Sequence, residues 1–286
     1  MNKSQLIQFL RENEIWAKRS MGQNFLVDDN VLRKIVEAAE LKSSDIVVEI
    51  GPGLGMLTEE LAKYAGKIIT IEKDSELARK LNDEIRMKND EQMSNVKILN
   101  QDVLEFNPSN LAEYKIVANI PYNITSVVIR KFLEAENKPS LMVLLVQKEV
   151  AERIIAEPGE MSLLSVSVQF YAEPEIISIV KKEAFFPVPE VDSAIVKFKI
   201  HPSRHGIAEA EKSKCKINER DLFRLVKFGF AARRKTLENN LAAGLHITKP
   251  KASDIIKKAG LPEKIRAQDL STENWIKLTE GIYGRK

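Results

Sequence analysis

This chain of 286 residues is short of the residues that most metal and thiol chemistry uses. It has one cysteine, Cys215, so no disulfide can close within it, and its three histidines, His201, His205 and His246, stand at no ligand spacing with that cysteine. Neither a zinc site nor a thiol nucleophile is supported, and no metal is expected. Long apolar runs are also missing. None approaches the ~20 residues a membrane span needs, and the N-terminus, with Arg11, Glu12 and Glu14 among its apolar residues, does not read as a signal peptide. The expectation is a cytoplasmic protein with no membrane partner. Internal repeats and low-complexity tracts are absent. The length suits one large domain plus a small one, with an ordinary buried core.

The chain is organised around residues 46–58, Ile-Val-Val-Glu-Ile-Gly-Pro-Gly-Leu-Gly-Met-Leu-Thr. An apolar run containing an acid suits a buried parallel strand, and three glycines at alternate positions lead into a helical pattern. Gly51, Gly53 and Gly55 let backbone approach a ligand where side chains would block it, and the helix beyond presents free N–H groups to an acceptor. Taken alone, such a turn is equally a packing turn. Its spacing is neither GxGxxG nor that of a phosphate-binding loop, since no Lys-Ser or Lys-Thr follows, and this disfavours a dinucleotide or a triphosphate. The next strand, 67–72, ends in Glu72 about 20 residues past the glycines, where such folds place a carboxylate for ribose hydroxyls. A third strand, 96–99, is followed by Asp102, which can accept from the exocyclic amine of adenine or serve as a turn or cap residue. A fourth, 115–118, delivers Asn119-Ile120-Pro121-Tyr122.

Glu-x-Gly-x-Gly-x-Gly followed by Asn-Ile-Pro-Tyr resembles S-adenosylmethionine-dependent methyltransferases that act on an exocyclic base amine. Three further stretches resemble the ribosomal RNA adenine dimethyltransferase family: Gly22-Gln23-Asn24-Phe25-Leu26, the run from Phe185 to Ser193 reading Phe-Phe-Pro-Val-Pro-Glu-Val-Asp-Ser, and the run from Ala232 to Leu241 reading Ala-Arg-Arg-Lys-Thr-Leu-Glu-Asn-Asn-Leu. The likeness covers nearly the whole chain in order. It implies S-adenosyl-L-methionine as methyl donor, dimethylation of two adjacent adenosines near the 3′ end of small-subunit rRNA, the immature small ribosomal subunit as partner, and a monomer. The large-subunit enzyme that confers macrolide resistance is the alternative within enzymes; a non-catalytic RNA-binding or assembly factor on the same fold is the alternative outside them. In the family the segment after the N-terminal helix closes over the cofactor, with Asn24 and Leu26 contacting it. On a plainer reading Phe25 and Leu26 pack, and Asn24 serves the turn before a helix capped by Asp28 or Asp29. One departure is the stretch 158–164, shorter than the family's pattern near where substrate enters.

The N6 amine of adenine is a poor nucleophile because its lone pair is delocalised into the ring. The Asn119 amide oxygen and the Ile120 carbonyl can accept its two hydrogens and favour a tetrahedral nitrogen as transfer begins. Pro121 restricts the backbone so that this carbonyl can point inward, and Tyr122 offers a ring on which the extruded base can stack. Phe185, by the resemblance, is the second stacking wall; the other reading is a core aromatic. No acidic or histidine base is required, since the methylated amine releases its proton to a carbonyl or water.

The remaining periodicities place helices at 2–15, 75–88, 125–134 and 147–156, strands at 141–146, 175–180 and 191–200, and an N-terminal-side helix carrying Val31, Ile35 and Val36. Residues 162–171 fit strand and helix templates alike, and the resemblance favours a helix. This is an α/β class: a doubly wound, mostly parallel Rossmann-like sheet with one antiparallel strand, closed by a hairpin-like pair. From His201 only helical signals follow, at 219–230, 235–242, 252–259 and 272–281, after a polar linker at 201–216. The division is therefore a methyltransferase domain at 1–200 and a helical domain at 201–286. The net charge of +3 splits unevenly: −6 over 1–200 and +9 over 201–286. Arg220, Arg224, Lys227, Arg233, Arg234 and Lys235 are the candidate RNA contacts, the plain alternative being a solvated face.

Overall fold

A computed structural model describes residues 3–12, 15–18, 21–88, 93–201 and 217–284. The chain forms two compact units, Met1–Ala151 with Glu173–Ile200, and Glu152–Ala172 with His201–Lys286. The stretch 152–172, which the sequence division grouped with the sheet, belongs to the helical unit.

The first unit begins with α1 (Lys3–Glu12), β1 (Phe25–Leu26) and α2 (Asp29–Ala39). Asp28 caps α2, its side chain accepting from the N–H groups of Asn30 and Val31. There follow β2 (Ile46–Ile50), α3 (Met56–Ala62), β3 (Lys67–Glu72), α4 (Ser75–Lys88), β4 (Val96–Asn100), β5 (Tyr114–Asn119), α5 (Thr125–Leu133) and β6 (Leu141–Gln147). α6 (Lys148–Ile154) leads out of this unit. The helix α7 (Leu163–Tyr171) then precedes β7 (Ala172–Val180), β8 (Phe185–Phe186) and β9 (Ser193–Ile200).

Seven strands form one sheet in the order β4-β3-β2-β5-β6-β9-β7. All pairings from β4 to β6 are parallel, and β9 lies antiparallel to β6. The expected closing pair is present, with β9 inserted between β6 and β7. Both faces are covered: Val47, Ile68, Val117 and Val143 join α2 and α3 in one core, and the alternate residues Val48, Ile69, Ile116 and Met142 are buried as well. The continuous apolar sequence of β6 follows from that position, buried on both sides between β5 and β9. The chain winds from β2 to β4 in one direction and resumes at β5 on the other side of β2. The reversal falls between β2 and β5, where ligands of such sheets bind at the carboxyl ends. A separate two-stranded pairing, unexpected from sequence, joins β1 to β8 with Phe25 opposite Phe186 and Leu26 opposite Phe185.

The second unit contains α7, α8 (Glu219–Gly229), α9 (Leu237–Gly244), α10 (Lys249–Lys258) and α11 (Thr272–Tyr283). The ambiguous stretch 162–171 is a helix because Ser162 and Ser165 form a reciprocal capping box at its head. Leu222, Leu225, Leu237, Leu241, Ile256 and Trp275 are all fully buried. Most of the expected linker at 201–216, most of the loop expected at 89–95, and Arg19 lie outside the described residues.

Candidate active site at the carboxyl ends of the strands

The glycine turn owes its course to backbone that other residues avoid. Gly51, Gly53 and Gly55 all have φ between 58° and 83°. At Gly55 a side chain would also run into Leu81 of α4. Gly55→Ala is expected to lower stability by about 2 kcal/mol or more, from the left-handed backbone together with the clash. Denaturant unfolding measures it, and an unchanged midpoint would refute the account. At Gly53 a Cβ would sit 3.3 Å from the ring of Phe25, so the aromatic ring rests directly on the turn.

A cavity of about 410 Å³ opens at the reversal point. Ten of the twelve candidate residues line it: Asn24, Leu26, Gly51, Gly53, Glu72, Asp102, Asn119, Ile120, Pro121 and Tyr122. Gly55 lies behind the turn instead, serving its packing. Phe185 requires a correction. Its ring is fully buried in the core with Leu26, Val180 and Ala184 and does not line the cavity, so it is no stacking wall here. The reason is the β1–β8 pairing, which turns Phe185 inward while Phe186 packs beside Phe25, Leu10 and Leu77.

The polar groups around the cavity are held from outside it. Glu72 accepts from Asp74 N at 2.8 Å and Gly53 N at 3.2 Å, and burial raises its pKa above the ordinary carboxylate value. Asp102 accepts from Lys73 Nζ and from Leu104 N, which together lower its pKa; the turn role and a place on the cavity wall coexist. The Asn119 amide donates from Nδ2 to the Asn24 carbonyl at 3.1 Å, which leaves Oδ1 as the acceptor. Tyr122 shares a 2.8 Å hydrogen bond with Ser193 Oγ, at the fully buried start of β9.

Two residues on the cavity wall, Glu49 and Gln23, and two that hold wall residues from behind, Asp74 and Ser193, have no assigned role from the sequence. Gln23 and Ser193 lie within the motif stretches quoted for their neighbours, and Glu49 opens the Glu-x-Gly-x-Gly-x-Gly motif without being given a role of its own. Glu49 is 1% exposed, accepts from Thr58 Oγ1 at 2.6 Å, and leaves Oε1 without a partner among the described residues. Burial, with the charge of Glu72 adding to it, pushes its pKa up to about 8. A buried, unpaired carboxyl oxygen on a cavity wall suits a ligand that brings positive charge.

In the helical unit Arg220, Arg224 and Lys227 lie at helical spacing on α8 and are exposed. Arg233, Arg234 and Lys235 are exposed in the turn before α9. The buried Asn240 fixes that turn from beneath, donating to the carbonyls of Gly229 at 2.6 Å and Ala232 at 3.1 Å. The short stretch 158–164 is tied to Gln268, whose carbonyl accepts from Gly159 N and Met161 N.

Known proteins match this arrangement along nearly its full length. The sequence profile described as "Ribosomal RNA adenine dimethylase" matches residues 16–282. A "Ribosomal RNA small subunit methyltransferase A" of Dehalococcoides mccartyi is 45% identical over 265 residues, covering 91% of this chain and 86% of its own. A protein of that name in Clostridioides difficile is 36% identical over 274 residues, covering 92% and 90%. Among solved structures, a dimethyladenosine transferase from Plasmodium falciparum aligns with a TM-score of 0.73 at 28% identity, covering 89% of this chain and 95% of its own. The 23S rRNA methyltransferase ErmE aligns with a TM-score of 0.70 at 27% identity, covering 90% and 99%.

Proposed function

Because the chain belongs to the ribosomal RNA adenine dimethylase family, we propose that it dimethylates N6 of two adjacent adenosines near the 3′ end of small-subunit (16S) rRNA, using S-adenosyl-L-methionine. It works in the cytoplasm as a monomer, on immature small subunits. The relatives named for the small subunit stand nearer to this chain in sequence than the 23S enzyme does, which favours the small-subunit substrate. The observation that carries the chemistry is the Asn119 amide, oriented by Asn24 so that its oxygen is the free acceptor beside Tyr122.

The residues present fit the donor. Its size suits a cavity of this volume, and its positive charge favours ionisation of the partnerless Glu49 carboxyl, which burial otherwise keeps protonated. When bound, S-adenosyl-L-methionine supplies an electrophilic methyl group on a sulfonium sulfur. Glu72, already held by two backbone N–H groups, keeps lone pairs for ribose hydroxyls, and Asp102 accepts from the adenine amine. Gly51 and Gly53 leave room for the ligand against the turn, while Asn24 and Leu26 cover it. On the substrate side, Asn119 Oδ1 and the Ile120 carbonyl accept the two hydrogens of the target amine, and Pro121 restricts the backbone so that this carbonyl points inward. Tyr122, anchored on Ser193, stacks the extruded base. The proton leaves to a carbonyl or to water.

The first unit is the methyltransferase domain, and the second contacts RNA through its exposed basic residues. Reversing charge at Arg233→Glu and Arg234→Glu is expected to weaken RNA binding and to flatten its salt dependence by about 0.7 to 0.9 in log–log slope for each phosphate no longer neutralised. Cofactor affinity should not change. An unaltered slope in binding titrations at rising salt would remove the patch from the interface.

The reading is tested by transfer of labelled methyl from S-adenosyl-L-methionine to undermethylated small subunits, with the product nucleosides resolved by mass. Dimethyladenosine at two adjacent positions is the expected product. Label confined to large-subunit RNA would move the protein to the other enzyme, and tight subunit binding without label would make it an assembly factor.

A further inference from the structure

The segment from Met21 to Leu26 crosses the cavity as a strap, and it is fastened at both ends of the site. At one end stands Asp74, directly after β3. Its carboxyl group is only 3% exposed, and one oxygen, Oδ2, receives both Lys18 Nζ at 2.7 Å and Gln23 Nε2 at 3.2 Å. Gln23 in turn accepts from Lys18 N at 2.8 Å, which closes a small ring of contacts around that oxygen. At the other end the strap's Asn24 carbonyl receives the Asn119 amide, and between the two ends Phe25 rests on Gly53.

Capping alone does not account for Asp74. Its second oxygen accepts from Glu76 N at 3.1 Å at the head of α4, and one oxygen is all a helix cap needs. The other is committed to the strap. The backbone N–H of Asp74 meanwhile donates to Glu72 Oε1 at 2.8 Å, so the same residue touches the carboxylate assigned to the ribose.

We propose that Asp74 is a positioning residue for methyl transfer: it latches Lys18 and Gln23, and through the strap it holds the Asn24 carbonyl that sets the Asn119 amide. This rests on the reading of the cavity as the S-adenosyl-L-methionine site. Two consequences follow from one contact. A latched strap retains the cofactor and its product, and it also presents the Asn119 oxygen in the orientation that accepts the amine hydrogens. Loosening the latch therefore weakens retention and slows the chemical step together, although Asp74 touches neither reacting atom.

Asp74→Asn keeps the volume and the helix cap but loses the charge that holds the Lys18 ammonium, and Gln23→Ala removes the second donor. Lys18→Met, at a half-exposed side chain, removes the latch's ammonium and its longer 3.7 Å ion pair with Glu76 but leaves the Asp74 cap on Glu76 N in place. Three quantities are measured on the full chain: the melting temperature without ligand, the dissociation rate of labelled S-adenosylhomocysteine, and the single-turnover rate of methyl transfer at saturating cofactor. Each variant should release S-adenosylhomocysteine about tenfold faster and transfer methyl about tenfold more slowly, with a melting temperature close to that of the parent. A lower melting temperature with both rates unchanged would reduce Asp74 to a structural cap and overturn the proposal. Equal dissociation rates in parent and Lys18→Met would overturn the latch while leaving the function standing. Failure of the parent itself to bind either compound would remove the function and the latch together.

Discussion

Replacement of Asn119 by Ala is expected to lower turnover by about a thousandfold while leaving cofactor affinity within a few-fold of the parent. The asymmetry follows from what the side chain does at each stage. Before transfer its oxygen is one of several polar groups on the cavity wall, and the contacts proposed for the cofactor at Glu72, Asp102 and the glycine turn are untouched by the substitution. During transfer the target nitrogen gains positive character and its hydrogens become stronger donors, so an acceptor already in place contributes most at that moment. Loss of one preorganised hydrogen-bonding group of this kind costs about 10²–10³ in rate in enzymes where it has been removed. Asn119→Asp offers a second comparison. It keeps an acceptor but replaces the donor that faces the Asn24 carbonyl, so the group is misoriented and turnover should stay low. Single-turnover methylation alongside calorimetric cofactor titration separates the two quantities. Normal turnover in Asn119→Ala would sink the role assigned to it.

The second large effect is on stability and concerns Glu49. Its pKa in the folded protein is about 8 against an ordinary 4.5, because burial disfavours the charged form and Glu72 adds repulsion. Below about pH 4.5 the group is protonated folded or unfolded and contributes no pH dependence. As pH rises through the window from about 4.5 to about 8, the unfolded chain gives up the proton while the folded chain keeps it, so stability falls. Above about 8 both states are ionised and the full penalty remains. At about 1.4 kcal/mol for each pH unit of that window, the penalty is on the order of 5 kcal/mol. Glu49→Gln keeps the shape and an acceptor for Thr58 without the charge. The ligand-free variant should match the parent near pH 5 and exceed it in stability by several kcal/mol at pH 8.5. Denaturant unfolding at the two pH values decides it. A difference that does not grow with pH would show that Glu49 titrates normally.

Much of this protein was legible in its sequence, and the reasons differ by residue. Strands β2, β3, β5 and β6 were placed to within a residue or two because a strand buried on both faces reads as an unbroken apolar run. Glu72 and Asn119 could be identified because each ends such a run, at the carboxyl end of its strand. The insertion of β9 between β6 and β7 could not be read, since periodicity gives the existence of a strand and not its neighbours. Phe185 was misjudged for a related reason. An aromatic ring in a short extended segment can face a cavity or a core, and its partner Leu26 lies 159 residues earlier in the chain. Asp74, which caps α4 locally, drew no assignment from the sequence, because its partner Gln23 stands beside it only once residues 51 apart are brought together.

The buried Asn240 beneath the Arg233–Lys235 turn separates two properties that surface loops usually mix. The shape of the turn is held from the interior, by a buried side chain, whereas the side chains of the outward residues carry charge into solvent. Such a turn behaves as a socket with interchangeable plugs. Charge at its three outer positions can change without loosening the helices on either side, while the asparagine underneath has no such freedom. Variation among descendants of this sequence should therefore gather on the outer rim of the turn and stop at its base.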